Sequence, residues 1–247
     1  MEKKFGLIGK TVGHSFSKTF FDEMFFREGL RDHHYDLYPL KEIGELKDLL
    51  KANPEICGLN VTIPYKEQVI SLLDELSVDS KAIGAVNVIK ISGDKLKGFN
   101  TDCDAFYETL QRWLPTETKF KALVLGTGGS SKAVRVALQK LSIPFEMVSR
   151  NDALAQHTYE ALKSNPSIVE QSNLIINTTP LGMSPDTDGF PPIPYDALSE
   201  SHFVYDLIYN PARTVFLQKA EMRGAKIKNG LEMLHLQAEK SWGIWSR

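Results

Sequence analysis

Cysteine, net charge and long apolar runs are what this chain is poorest in, and each shortage removes a class of function. Its 247 residues include two cysteines, Cys57 and Cys103. Two thiols so placed make neither a disulfide framework nor a metal-ligand spacing. They read as reduced thiols of a cytoplasmic protein, and no metal site is expected. Formal net charge is −2 and the isoelectric point about 6.3. No field of either sign is strong enough to favour nucleic acid or an anionic membrane as a partner. The opening residues, MEKKFGLIGK, hold too short an apolar run for a signal peptide, and no later run reaches bilayer length. There is no internal repeat and no low-complexity tract. What remains, 42% hydrophobic and 24% charged, is an ordinary globular composition in a chain long enough for one or two domains.

The most informative stretch is Lys121 to Arg150, KALVLGTGGSSKAVRVALQKLSIPFEMVSR. An apolar run, Ala122 to Leu125, meets Gly126, Gly128 and Gly129; a helical pattern and a second apolar run, Ile143 to Val148, follow. This order predicts a strand, a Gly-rich turn, a helix and a strand, the unit that binds dinucleotides. Such a turn brings the backbone close to a pyrophosphate, and the helix N-terminus offers free N–H groups and a positive dipole end. Where a third fingerprint glycine is expected the chain has Ser131, then Ala133, both small enough for close helix–strand packing. The second strand ends in Ser149-Arg150-Asn151 where NAD-binding units place an acid. A cation there suits a 2′-phosphate, hence NADP; a solvated arginine at a strand end is the plainer reading.

Taken in order, the chain predicts alternating strands and helices. Phe5 to Ile8 reads as a buried strand, and Phe20, Phe21, Met24, Phe25 and Leu30 as one helical face. Ser15 and Ser17 precede that helix, either as an N-cap or as paired hydroxyls for a carboxylate. His14 carries no argument by itself. His34 to Tyr38 predicts a strand, Ile43 to Leu50 a helix, and Tyr65 to Leu76 another helix entered through Pro64. Lys66 then falls in a first turn, where the helix dipole opposes a cation; it is a surface lysine or a functional one. Ala82 to Lys90 predicts a buried strand containing Asn87, whose amide needs partners. Asp102 heads the next helix, where an acid is a good N-cap. Leu114 to Thr118 reads as a linker. Helices over Ala153 to Leu162 and Thr214 to Met222, strands over Leu174 to Asn177, His202 to Tyr209 and Lys226 to Lys228, and a last helix after Asn229-Gly230 complete an α/β pattern with mostly parallel sheets.

Eight motifs, in order, carry a family resemblance: Ser15-Phe16-Ser17, Asn60 to Lys66 (NVTIPYK), Gly84-Ala85-Val86-Asn87, Asn100-Thr101-Asp102, Gly126-Thr127-Gly128-Gly129, Asn177 to Met183 (NTTPLGM), Asp206 to Tyr209, and Asn229-Gly230 through Gln237. The chain resembles the shikimate dehydrogenases, NADP-dependent enzymes of aromatic amino-acid biosynthesis. The resemblance implies two α/β domains around a cleft: a substrate domain over 1–104, to which 230–247 return, and a Rossmann-type NADP domain over 105–229. It implies reversible reduction of 3-dehydroshikimate to shikimate by NADPH. Lys66 and Asp102 match the catalytic pair. Ser15 and Ser17 match the groups on the substrate carboxylate; Thr62, Asn87, Asp102 and Gln237 match those on ring hydroxyls; Tyr209 matches another substrate contact. For the cofactor the resemblance implies Gly126, Thr127, Gly128, Gly129 and Ser130 at the phosphates, Ser149 and Arg150 at the adenosine phosphate, Leu207, Gly230 and Met233 near the nicotinamide, and Thr178 as a further cofactor contact. Relatives often show Asn-Arg-Thr where this chain has Ser149-Arg150-Asn151, and many run on beyond the position of Arg247. A quinate/shikimate dehydrogenase using NAD and a non-catalytic NADP-binding sensor are the alternatives. Arg150 in place of an acid speaks against the first, and the presence of both Lys66 and Asp102 against the second. A monomer or a homodimer is expected.

Overall fold

The computed structural model describes residues 2–13 and 15–247; Met1 and His14 lie outside the described residues. The chain divides into two compact units, one of residues 1–104 and 235–247, the other of residues 105–234. Both are α/β.

The first unit is built on six strands: β1 (Lys3–Gly9), β2 (His33–Pro39), β3 (Ile56–Val61), β4 (Glu75–Leu76), β5 (Val88–Ser92) and β6 (Lys95–Phe99). Their order is β2-β1-β3-β5-β6-β4. β1 pairs in parallel with β2 and β3, β5 runs antiparallel to β3 and β6, and β4 returns parallel to β6. Alternate side chains of a strand face opposite ways. Phe5 and Leu7 accordingly join one apolar cluster with Phe21, Tyr35 and Trp245, while Ile8 joins another with Leu46, Leu59 and Val69. The second unit is an all-parallel sheet of β7 (Ala122–Leu125), β8 (Phe145–Ser149), β9 (His157–Thr158), β10 (Leu174–Asn177), β11 (Phe203–Asp206) and β12 (Lys226–Lys228), ordered β12-β11-β10-β7-β8-β9. Chain order reverses between β7 and β10, and open α/β sheets bind ligands at the carboxyl ends of strands flanking such a switch.

Three local expectations need correction. The residues Ala82 to Val86 are not strand: Ser77 accepts the Ser80 N–H and starts a helix, Val78–Ile83, that Gly84 ends at φ +70°. A left-handed glycine is a common helix stop, and β5 begins only at Val88. The helix expected over Tyr65 to Leu76 is one turn, Tyr65–Gln68, followed by a 3₁₀ segment, Val69–Leu72. Asp74 then accepts the Leu96 N–H, and Glu75–Leu76 pairs with β6. Over Ala153 to Leu162, a 3₁₀ turn, Asp152–Leu154, and β9 precede a helix that starts only at Tyr159, where Thr158 accepts the Ala161 N–H.

Candidate active site

In the first unit the centre of the site is an ion pair. Lys66 Nζ lies 2.6 Å from Asp102 Oδ2, with only 14% and 8% of the two side chains exposed. Lys66 is held by its own backbone, whose carbonyl accepts the Val86 N–H at 2.7 Å, and by its neighbour Tyr65, whose hydroxyl donates to the Leu40 carbonyl. Asp102 opens the helix Asp102–Trp113, but the side chain that accepts a backbone N–H at this helix start is Asn100, from Cys103. The Asp102 carboxylate is spent on side chains: Oδ2 takes the ammonium and Oδ1 takes the Asn87 amide at 2.9 Å. A buried pair of this kind holds only when both oxygens are satisfied.

Asn87 is 2% exposed, and it is fully engaged. Its amide donates to Thr101 Oγ1 and Asp102 Oδ1, and its carbonyl accepts the Thr101 N–H at 2.7 Å. The network extends further. Thr101 Oγ1 donates to the main-chain carbonyl of Gln237. Asn60, on β3, accepts the Tyr35 hydroxyl and donates to the Asn87 main-chain carbonyl and to Ser241 Oγ. Gln237 and Ser241 lie on the last helix, Leu231–Trp245. The network thus joins Lys66, Asn87, Asp102 and the Gln237 main chain to four residues that sequence reasoning gave no role: Tyr35, Asn60, Thr101 and Ser241. The signal was available for Asn60, a polar side chain inside an apolar strand, as for Asn87.

Ser15 is the N-cap of the helix Phe16–Arg27, its hydroxyl accepting the Ser17 N–H at 3.2 Å. The plainer reading of Ser15 is therefore true of the fold, and it leaves the hydroxyl proton uncommitted to that bond. Ser17 is buried. Thr62 follows β3, half-buried, its N–H bonded to the Ile8 carbonyl and its methyl against the bare backbone of Gly9.

In the second unit the turn after β7 is shaped by backbone. Gly126 takes φ +104°, and a β-carbon there would press on Thr178 Oγ1 and Thr179 Cγ2 at 2.8 and 2.9 Å. Thr178 sits across the switch, with both its N–H and its hydroxyl bonded to the Leu125 carbonyl. Gly128 is the N-cap of the helix Gly129–Lys140, and no side chain caps it. A β-carbon on Gly128 would meet nothing within 4 Å. Thr127, Gly129 and Ser130 are half-buried beside it. Ser131, in place of the third glycine, is 2% exposed and turns its hydroxyl back on the Gly128 carbonyl at 2.6 Å, while Ala133 is wholly buried. An uncapped helix start beside open backbone fits the pyrophosphate of a dinucleotide. At the end of β8, Ser149 Oγ accepts the Asn151 N–H and Asn151 accepts the Ala153 N–H, and Arg150, between them, is exposed. Its guanidinium lies near enough to Tyr159 to offset part of the burial that pushes that phenol up to about 12.

At the end of β11, Asp206 is completely buried and accepts bonds from Asn177, the Ile208 N–H and, at 2.6 Å, Thr214. Burial nevertheless pushes its carboxyl up to about 6, with those three donors opposing the rise. The turn it fixes carries Leu207, Ile208 and Tyr209. Gly230 packs on that turn so closely that a β-carbon would collide with the Leu207 carbonyl, and its N–H bonds the Ile208 carbonyl. Met233 is buried one helical turn on. Tyr209 and the Gly126 turn belong to the second unit, whereas Lys66, Asp102, Ser15, Ser17, Thr62, Asn87 and Gln237 belong to the first. Among the described residues no group of His, Cys, Asp or Glu could hold a metal ion, and no helix is long and apolar enough to cross a membrane.

Residues 7–89 match the family model described as the shikimate dehydrogenase substrate binding domain. Over 99% of its length the chain is 37% identical to the shikimate dehydrogenase (NADP(+)) of Methanococcus maripaludis strain C6, covering 91% of that protein. Its fold is similar to that of a shikimate 5-dehydrogenase from Thermus thermophilus in complex with NADP(H) and shikimate, at a TM-score of 0.83 and 30% identity, covering 99% of this chain and 93% of that one. A quinate dehydrogenase from Corynebacterium glutamicum in complex with NAD is also similar, with a TM-score of 0.86 and 25% identity over 99% of this chain and 94% of that one.

Proposed function

This chain belongs to the shikimate dehydrogenase family, and from that premise we propose that it catalyses the reversible, NADPH-dependent reduction of 3-dehydroshikimate to shikimate, a step of aromatic amino-acid biosynthesis. The observation that carries the reading is the buried Lys66–Asp102 pair, cross-bonded to Asn87.

NADPH, when bound, supplies the hydride. The chain's own work is to hold the two molecules and to handle the proton. Reduction of a ketone builds negative charge on its oxygen, so a donor is needed beside it. Lys66 gives that oxygen its proton, and in the reverse direction takes it from the hydroxyl. Asp102 orients the ammonium and, with Asn87, Thr62 and Gln237, holds ring hydroxyls. Ser15 and Ser17 hold the carboxylate through neutral donors, which give orientation at little cost in desolvation, and Tyr209 makes another substrate contact. The Gly126 to Ser130 turn takes the pyrophosphate, and Arg150 takes the 2′-phosphate through charge-assisted, two-point hydrogen bonds. Residues 1–104 with the returning helix form the substrate domain and residues 105–229 the nucleotide domain. Quinate oxidation with NAD is the second reading; Arg150, where an acid would hold a 2′-hydroxyl, argues for NADP.

The test is a spectrophotometric assay of the purified chain with each pairing of shikimate or quinate and NADP+ or NAD+. Shikimate with NADP+ should give a kcat/KM at least tenfold above any other pairing, an estimate from the energies of charged hydrogen bonds. Turnover only with quinate and NAD+ would replace this reading with the second.

A further inference from the structure

Ser241 is completely buried on the last helix, four residues beyond Gln237. Its hydroxyl donates to the Gln237 carbonyl at 2.7 Å, a common habit of a helical serine that needs no functional reason. Two further contacts are not of that kind. Ser241 Oγ accepts the Asn60 amide at 3.0 Å, and it lies 3.4 Å from Thr101 Oγ1, a packing contact because both hydroxyl protons go to the Gln237 carbonyl. The other end of each contact reaches the ion pair. Asn60 also holds the Asn87 main-chain carbonyl, Thr101 bonds both ends of the Asn87 amide, and Asn87 bonds Asp102 Oδ1.

We propose that Ser241 is a positioning residue for the reaction: through Asn60 it fixes Asn87, and through Asn87 the carboxylate that orients Lys66. This rests on the reading of Lys66 and Asp102 as the proton-handling pair. Asn60 has two amide protons and a buried setting, 5% exposed. One goes to the Asn87 main-chain carbonyl and one to Ser241. Without the hydroxyl, the second proton has no partner among these groups, and a buried unpaired donor rotates or recruits water. Either response loosens the Asn87 backbone and the amide that holds Asp102. Because networks of this kind act as units, the effect at the far end exceeds what one serine would give alone.

Ser241→Ala removes the acceptor, and Ser241→Cys keeps the volume while weakening it. Both should lower kcat for shikimate oxidation about five- to thirtyfold and displace the pH profile of kcat, with KM for NADP+ within twofold of wild type. Ser241→Thr, which keeps the hydroxyl, should restore more than half of the loss. Lys66→Ala is assayed beside them. If it abolishes turnover while Ser241→Ala and Ser241→Cys keep the wild-type kcat and pH profile, and only the melting temperature falls, Ser241 merely packs its helix and the proposal is overturned. If Lys66→Ala itself keeps wild-type kcat, the reading of the ion pair fails and the proposal falls with it. Should Ser241→Ala not fold, the Ser241→Cys kcat and pH profile decide alone.

Discussion

The two units hold their candidate residues in opposite ways. Around Lys66 the fold works with side chains: an ammonium, a carboxylate, two amides and two hydroxyls bond one another, and little is left free. Around Gly126 it works by removing them: a left-handed glycine, an uncapped helix and an exposed arginine leave backbone N–H groups and one cation facing outward. The difference follows from the ligands each is read to serve. A small polyol gains from donors already fixed in place, since their ordering is complete before it binds. A dinucleotide brings its own charge and needs room for its phosphates more than it needs partners held in advance. Disturbance should therefore spread from a substitution in the first unit and stay local in the second.

The largest effect tests the first unit. Lys66→Ala should lower kcat by about 10²–10⁴-fold, the usual share of general acid–base catalysis, with a much smaller change in KM for shikimate. Lys66→Arg should not rescue it, because a guanidinium keeps its proton near neutral pH. Steady-state kinetics decide: near-full kcat in Lys66→Ala would make the lysine a binding residue.

Next in size is the buried acid of the second unit. Its carboxyl, raised to about 6 by burial, binds a proton more tightly in the folded chain than in the unfolded one. Stability from this group is therefore present at low pH and lost as pH rises from about 4 through 6, by roughly 3 kcal/mol in all. Asp206→Asn removes that loss. The stability of the variant minus that of the wild type, from chemical denaturation, should climb by about that amount between pH 4 and pH 7. A flat difference would mean the carboxylate is no less stable ionised than protonated in its site.

Arg150→Ala comes third and probes locality. It should raise KM for NADPH about tenfold or more, from the worth of charge-assisted hydrogen bonds, while leaving KM for NADH and for shikimate nearly unchanged. Equal losses with both cofactors would show that the guanidinium does not read the 2′-phosphate. The smallest effect belongs to Ser15, which works both as a cap and as a candidate carboxylate ligand. Ser15→Ala should cost about 1 kcal/mol of stability, a fall of some 2–4 °C in Tm for a chain of this size, and raise KM for shikimate. A lower Tm with an unaltered KM would leave it the cap alone.

Much of the second unit is legible in the sequence because its signals are local. Ala122 to Leu125, the glycines and the following helix are consecutive, and Lys226 to Lys228 is the strand its residues predict. The first unit is less so. Ala82 to Val86 is as apolar as a strand, and only the pairing of a Ser77 cap with a left-handed Gly84 makes its start a helix. The same holds for the site. Lys66, Asn87 and Asp102 sit within a few dozen residues and inside quoted motifs. Ser241 is 181 residues from the amide it receives, and an ordinary serine in an amphipathic helix carries no mark of such a partner. Its role is a property of the assembled unit and not of its neighbours in the chain.

The return of residues 235–247 to the first unit has a consequence for the order in which the molecule is made. Gly58 on β3 is bare because the Trp245 ring occupies the place of its side chain, and the indole N–H donates to the Ile89 carbonyl at 3.0 Å. Phe5 stacks on the same ring at 5.0 Å. A ribosome delivers the chain from the N-terminus, so the whole intervening unit emerges before Trp245 does. Until then the face that holds Phe5 is covered by Phe21, Met24 and Phe25 of the helix Phe16–Arg27 but lacks the Trp245 ring, so its packing is completed by a contact of long sequence separation. The first hundred residues are thus a domain only in space. In time, their packing is complete only once Trp245 has emerged.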